Sequence, residues 1–255
     1  MRMPSCRVTL AAAVAAVLIG GAVGCATATS SRQQSTAPVA VHRAQYGTLP
    51  AKTIATLMES LDATKVHENH VWRDTPPFNA DGTLNGYIEI PRGELTKYEF
   101  DISKNQREID RQLPVELVGY PVNYGYVPQT IAYDGDPFDA LVLGPALPGG
   151  SVVKGKIVGL MYFDDEKGPD MKVVISPVDE SGKPLYELKR VDKVRVGGWF
   201  DVYKKWEADK GKWSRVGGWG DATDGKWFVD TTHRFFEQGI DKSPEVKGLR
   251  AVLRD

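Results

Sequence analysis

The chain has 255 residues, of which 42% are hydrophobic and 25% charged, a composition that fits one ordinary folded domain and excludes a disordered or fibrous chain. Its 32 basic and 33 acidic side chains nearly cancel, so a nucleic-acid binder relying on a global basic field is not expected. The only cysteines, Cys6 and Cys25, lie at the very start, and neither a disulfide framework nor a cysteine metal site can hold the fold.

In chain order, Arg2 and Arg7 precede an apolar run over 8–23 that is too short and too rich in Ala and Gly for a spanning helix, and 1–24 reads as a secretory signal peptide. The run ends in AVGC, which resembles the bacterial lipoprotein box. Lipidation of Cys25 would make it the mature N-terminus and anchor an exported protein to a membrane, facing the periplasm or the cell exterior. Ala22 stands where that box usually has Leu, and cleavage after Ala26, Thr27 and Ala28 would instead give a soluble secreted protein. Residues 25–50, rich in Ser, Thr, Ala and Gln with no hydrophobic period, read as a flexible tether.

Ile54, Leu57, Met58 and Leu61 recur at helical spacing, which predicts a short amphipathic helix in an extension over 51–84, covering a hydrophobic edge. Over 84–178 the pattern changes to short β-type runs, GYIEI, LTKYEF, SVVKGKIVGLMYF and KVVISPV, separated by turn residues. Helical patterning returns at Trp199, Tyr203 and Trp206 and again at Phe228, Thr231 and Phe235. The order predicts an α+β fold, strands first and helices last. VGGW occurs at 196–199 and at 216–219, but a four-letter string does not make a repeat architecture.

The most informative stretch is YDGDPFDALVL at 133–143, which packs Asp134, Asp136 and Asp139 into six residues ahead of an apolar run. Three carboxylates so close repel unless cations neutralise them. An EF-hand fails on spacing, since Pro137 and Phe138 interrupt the oxygen ligands and Pro145 stands at the twelfth place. A surface acidic turn is the plainer alternative. Further charges argue against an isolated turn: DDEKGPDMK places Asp165, Asp170 and Lys172 after a predicted strand, where a second acidic turn can face the first. In LTKYEF, Lys97 and Glu99 are two residues apart and share one strand face while Tyr98 and Phe100 take the other; in GYIEI, Glu89 opposes Ile88 and Ile90. Oxygen-only ligands suit Mg²⁺, which keeps waters and binds with substrate phosphates. His67 and His70, in HENH, offer no zinc motif.

Taken together, these segments resemble the soluble family I inorganic pyrophosphatases. The resemblance runs from about Asn85 to Trp219 through IEIP with Glu89, KYEFD with Lys97 and Glu99, DR with Arg111, YPVNYGYVP with Tyr120 and Tyr124, DGDPFD, DDEKGPDMK, and VYKKWEADKGKW with Tyr203 and Lys204. It implies a five-stranded OB-like β-barrel with flanking α-helices, in a domain placed over 85–240 and followed by a tail over 241–255. It also implies several Mg²⁺ ions per site, inorganic pyrophosphate as substrate, and hydrolysis to two phosphates. A homo-oligomer is expected, with no nucleic-acid partner. The chain departs from the family in its export signal, in the extension to about Leu84, and in a C-terminal segment that does not align.

By that resemblance Asp136 is the general base, and Asp134, Asp139 and Asp170 hold one activating metal, with Asp139 shared to a second. Asp165 and Asp170 serve further ions, and Glu89 is also a metal ligand. Lys97, Arg111, Tyr203 and Lys204 clamp phosphate oxygens, with Glu99, Tyr124 and Lys172 beside the same anion. Alternatives stay open residue by residue. Tyr120 and Tyr124 are equally readable as core aromatics whose hydroxyls orient carboxylates, Tyr203 as core by its helical stripe, and Glu89 and Glu99 as salt-bridge partners of Lys97. The rival class is an exported OB barrel that binds a ligand without turnover; five of the six Trp lie between Trp199 and Trp227, but in predicted helices and turns rather than on strands. A broader phosphohydrolase finds no P-loop to support it.

Overall fold

The computed structural model describes Arg43, residues 49–206 and residues 211–240. The segment read as a signal peptide, Cys25, nearly all of the expected tether and the expected tail over 241–255 lie outside the described residues. Among the described residues no helix is long and apolar enough to cross a membrane.

Among the described residues from Leu49 onward, nine strands and four α-helices follow in order: α1 (Ala51–Ala63), α2 (Val71–Asp74), β1 (Leu84–Ile90), β2 (Thr96–Asp101), β3 (Gln106–Gln112), β4 (Asn123–Tyr126), β5 (Asp139–Val142), β6 (Val152–Asp165), β7 (Gly168–Pro169), β8 (Lys172–Pro177), α3 (Arg190–Val202), β9 (Ser214–Gly220) and α4 (Ala222–Ile240). Strands β1, β4, β5, β8 and β6 are hydrogen-bonded in that order, and β6 pairs back onto β1, closing a ring of five strands. This is the OB-like barrel the resemblance implies. All its pairings are antiparallel except β5 with β8, where Ala140 lies opposite Val173.

The LTKYEF strand, β2, stands outside the ring and, among the described residues, pairs with β3 alone in a separate hairpin. One sequence expectation needs correction: the strands do not all precede the helices, because β9 lies between α3 and α4 and adds to β6. The two VGGW copies accordingly adopt different structures, the first inside α3 and the second inside β9, so Trp219 sits on a strand after all.

Apolar residues from the strands meet each helix in turn. Ile88, Phe138, Tyr162 and Val173 pack against Phe228 and Val229 of α4. Ile90, Leu141, Phe163 and Val174 pack against Val196, Trp199 and Phe200 of α3. Leu57 and Leu61 of α1 join Trp72, Phe100, Ile131, Phe235 and Phe236 in a third cluster. Burying each such side chain contributes about 1.5–3 kcal/mol. The predicted stripe on α4 is buried throughout, whereas Trp206 is 53% exposed: α3 ends at Val202, and the tighter 3₁₀ turn Tyr203–Trp206 rotates Trp206 off the buried face.

Helix α4 starts where the sequence supplies a cap. The Asp221 carboxylate accepts from the Thr223 and Asp224 amides at 2.8 and 3.0 Å, and Asp224 returns a carboxylate oxygen to the Asp221 amide at 3.1 Å. Gly225 lets the helix lie directly on β6, since a Cβ there would come within 2.6 Å of Ile157 and 2.8 Å of the Gly159 carbonyl.

Candidate active site

The barrel topology gathers the acidic segments at one end. Because β5 and β8 run parallel with Ala140 opposite Val173, Asp139 at the start of β5 lies beside Lys172 at the start of β8, and the turns leading into both strands are neighbours. β6 ends at Asp165 and turns through Glu166 and Lys167 into β7 and Asp170. These segments, with Glu89 from β1, enclose a cleft of about 240 Å³. The β2–β3 hairpin supplies Lys97, Glu99 and Arg111, and the turn after α3 supplies Tyr203 and Lys204.

Two β-bulges aim side chains here. The β1–β4 register shifts between Ile88 and Ile90, on either side of Glu89, and the β2–β3 register shifts between Lys97 and Tyr98. The second shift leaves Asp110 of β3 as the extra residue; Tyr98 and Phe100 border the cleft as well as Lys97 and Glu99, while the Phe100 ring packs in the third apolar cluster. Glu89 is buried and accepts from the Phe100 amide at 2.7 Å; among the described residues it forms no ion pair, so it is not the salt-bridge partner of Lys97. Lys97 pairs instead with Glu99 and, at 2.9 Å, with Asp110, which also holds Arg111.

The acidic turn is tightly folded. Its Asp136 carbonyl accepts from the Ala132 amide at 2.7 Å, the Asp136 amide donates to Asp134 at 3.2 Å, and Gly135 takes a φ of +101° that an L side chain rarely adopts. Beneath it, Lys172 is 1% exposed and bonded to Asp139 and, at 2.8 Å, to Asp170, with its ammonium 4.6 Å from the centre of the Phe163 ring. Lys172 therefore lies under the cleft rather than in its lining, away from the place beside the anion that the resemblance implies for it. Burial alone would lower its pKa, but Asp139 and Asp170 outweigh burial and the net shift is upward. Tyr124 lines the cleft and its hydroxyl bonds to Asp139. Tyr120 does not line it; its ring lies 4.6 Å from Trp199 and 5.6 Å from Tyr124, which is the core-aromatic alternative. Tyr203 is both buried in the stripe against Trp199 and part of the lining. Lys204 bonds Asp165 at 2.6 Å and Glu166 at 2.9 Å.

Eight carboxylates and five cationic side chains line the cleft, so the site carries an excess of negative charge. The strain is visible in the protonation equilibria. Burial, reinforced by the charge of Asp139, raises Glu89 to about 8. Burial raises Asp170 to about 7, Lys172 opposing and Asp139 adding to it. Asp136 is open to water by surface area, yet protein closes in around its carboxylate, and this crowding together with Asp134 raises it to about 7. Asp134 is raised by burial and by Asp170.

Such a donor set fits hard divalent cations, being oxygen alone and repulsive until neutralised. Among the described residues no three of these groups already enclose one ion position, so Asp134, Asp139 and Asp170 do not form a ready cage, and Lys172 stands between Asp139 and Asp170. Mg²⁺, which retains waters and takes one or two carboxylates plus phosphate oxygens, suits this looser arrangement.

Sequence reasoning missed Glu166, Lys167 and Lys212 of the lining, and Asp110 beside it. Glu166 and Lys167 stand inside the quoted DDEKGPDMK, and Asp110 inside DR; their types gave no reason to choose them. The two histidines of HENH lie away from the cleft, with His67 and His70 bound through Nε2 to the carbonyls of Ser103 and Ile102 at 2.8 Å.

A family model described as inorganic pyrophosphatase matches residues 86–237. A relative named inorganic pyrophosphatase, from Sulfolobus acidocaldarius, is 36% identical over 159 residues, spanning 60% of this chain and 90% of the relative. Another of that name from Thermus thermophilus is 43% identical over 140 residues, 52% of this chain and 79% of the relative. The crystal structure of inorganic pyrophosphatase from Thermus thermophilus aligns with a TM-score of 0.60 and 34% identity, covering 66% of this chain and 99% of that one.

Proposed function

The chain belongs to the inorganic pyrophosphatase family and hydrolyses inorganic pyrophosphate to two phosphates, and from that premise we propose how its acidic cleft divides the work. The observation that carries the reading is the parallel pairing of β5 with β8, which brings the Asp134–Asp136–Asp139 turn beside Asp170, in one cleft with Asp165, Lys97, Arg111 and Lys204. Pyrophosphate is a multiply charged anion whose phosphorus is shielded by its oxygens, so a site must neutralise oxygen and deprotonate water in one place.

Asp134, Asp139, Asp165 and Asp170, with Glu89, would hold Mg²⁺. When bound, Mg²⁺ would neutralise phosphate oxygens and lower the pKa of water. Asp136 removes the proton of the attacking water; unlike Asp139 and Asp165, its carboxylate is paired with no cation among the described residues, which leaves it available. As the new P–O bond forms, the bridging P–O bond breaks and the leaving phosphate takes up the charge. Arg111 grips phosphate oxygens with its fork while Lys97, Lys204 and the Tyr203 hydroxyl meet them singly. Lys97 and Lys204 exchange their carboxylate partners for phosphate in doing so. Tyr124 and Lys172 fix Asp139 from beneath and leave the anion to the other cations.

The test is phosphate release from pyrophosphate, with and without Mg²⁺, compared with release from ATP and from a phosphate monoester. Release from pyrophosphate alone, dependent on Mg²⁺, supports the reading; equal release from the monoester overturns it. Export and a lipid anchor on Cys25 are part of the same proposal and rest on the sequence pattern: a diacylglyceryl mass on Cys25 supports the anchor, and an unmodified chain starting at Thr29 overturns it. A homo-oligomer is also proposed, supported by the exposed Leu185 and Val191 along a second groove, and a monomer by light scattering would remove it.

A further inference from the structure

The acidic turn has a weak side. Asp139 begins β5 and is held by the barrel, but the segment from Gln129 to Phe138 belongs to no strand and needs other partners for its backbone. Several of those partners come from the extension before the barrel, which lies outside the 86–237 family match. The Thr53 hydroxyl of α1 donates to the Tyr133 carbonyl at 2.8 Å, one residue before Asp134. The Trp72 indole donates to the Thr130 carbonyl at 2.9 Å, the Gln129 amide donates to the Trp72 carbonyl at 2.8 Å, and the Gln129 side chain reaches the Arg73 carbonyl at 2.7 Å. A Cβ on Gly135 would come within 3.3 Å of the Thr56 methyl, so α1 also packs directly against the middle of the turn. Helix α1 is itself fixed, because Leu57 and Leu61 are buried with Ile131, Phe235 and Phe236.

We propose that residues 51–74 are a positioning element for the catalytic turn, and that Thr53, through the Tyr133 carbonyl, sets where Asp134 and Asp136 stand. The proposal rests on the assignment of Asp134 and Asp136 above. Thr53 touches neither substrate nor metal; it acts by holding a half-buried backbone carbonyl on the strand-free side of the turn. Without its hydroxyl the Tyr133 carbonyl loses this bond from α1, and the hold of the helix on the peptide before Asp134 is weakened. The effect falls on metal affinity and turnover and spares the affinity of the phosphate clamp on the hairpin and on Lys204.

The experiment compares the full mature chain with Thr53→Val, which keeps the shape, and Thr53→Ser, which keeps the hydroxyl. Mg²⁺ binding is read by calorimetry on the substrate-free protein, alongside Tm and steady-state kinetics with pyrophosphate. For Thr53→Val the expected result is Mg²⁺ affinity weakened about tenfold and a lowered kcat, the scale for losing a group that orients a ligand, with an unchanged KM at saturating metal. Thr53→Ser restores both. Wild-type Mg²⁺ affinity in Thr53→Val, with only Tm lowered, overturns the proposal, and so does failure of Thr53→Ser to restore affinity. Failure of the wild type to cleave pyrophosphate would sink the functional reading instead, and the calorimetry separates the two.

Discussion

On β1, Ile88 and Ile90 disappear into apolar clusters beneath α4 and α3, while Glu89 between them turns to the acidic cleft and is raised to about 8 by burial and by Asp139. The same division recurs on β5, where Ala140 and Val142 are core and Asp139 is cleft, and on β8, where Val173 and Ile175 are core and Lys172 is locked to two aspartates. Neighbouring residues of one strand thus build two interiors. The apolar one is complete by itself, each ring and methyl packed on another. The acidic one is buried without being satisfied, and its carboxylates remain in conflict until cations enter. Stability and chemistry are drawn from neighbouring positions of the same strands, the chemical residues at strand starts or at a bulge, so substitutions separate them cleanly.

The largest expected effect breaks the apolar side. Phe228→Ala removes a fully buried ring stacked on Phe138 and should cost about 3–5 kcal/mol of stability, measured by denaturant unfolding, with turnover per folded molecule little changed. A large loss of turnover in the folded fraction would mean that the two interiors are not separable. Asp136→Asn does the reverse: turnover should fall by about a hundredfold or more, the scale of a lost general base, while Tm holds or rises because one repelling charge is gone. Turnover within a few-fold of wild type would remove Asp136 from the mechanism.

A smaller effect sharpens the contrast through pH. Glu89, Asp136 and Asp170 titrate at about 8, 7 and 7 in the folded chain, above the ordinary carboxylate value near 4 that they regain on unfolding. Between these limits the folded state binds more protons, so stability of the metal-free protein must fall as pH rises through about 4 to 8 and level off above. Carboxylates shifted the other way, such as Asp101 at about 2 with the Ser103 hydroxyl and Lys104 beside it, act only below that window, and within it His70, lowered by burial, opposes the three carboxylates as a single group. The expected outcome is a Tm that declines from about pH 5 to about pH 8.5 in chelator and declines less in Mg²⁺. A Tm rising over that range contradicts the assignment.

How much of this was legible beforehand follows from the range of each interaction. The apolar runs, the amphipathic helices over Leu57 and Phe228, and the charges of DGDPFD and DDEKGPDMK are local signals, and they were readable. The resemblance supplied the barrel, which no period specifies. Positions set by long-range geometry were not readable. The resemblance puts Lys172 beside the anion, and only the parallel β5–β8 register puts it under Asp139. The bulge opposite Lys97 and Tyr98 leaves Asp110 of β3 as the extra residue, beside Lys97, which no local pattern announces. Trp206 left the buried stripe because the helix tightened after Val202. Thr53 carried no signal at all, since its partner is a backbone carbonyl eighty residues away.

The most direct test of the contrast is a count of the protons that leave when Mg²⁺ enters the metal-free protein, obtained by titration calorimetry in buffers of differing ionisation enthalpy. With the cleft carboxylates raised to about 7 and 8, binding below about pH 7 should release protons, and binding above about pH 9 should release almost none. Mg²⁺ binding with no proton release at the lower pH would contradict an acidic interior that only cations complete.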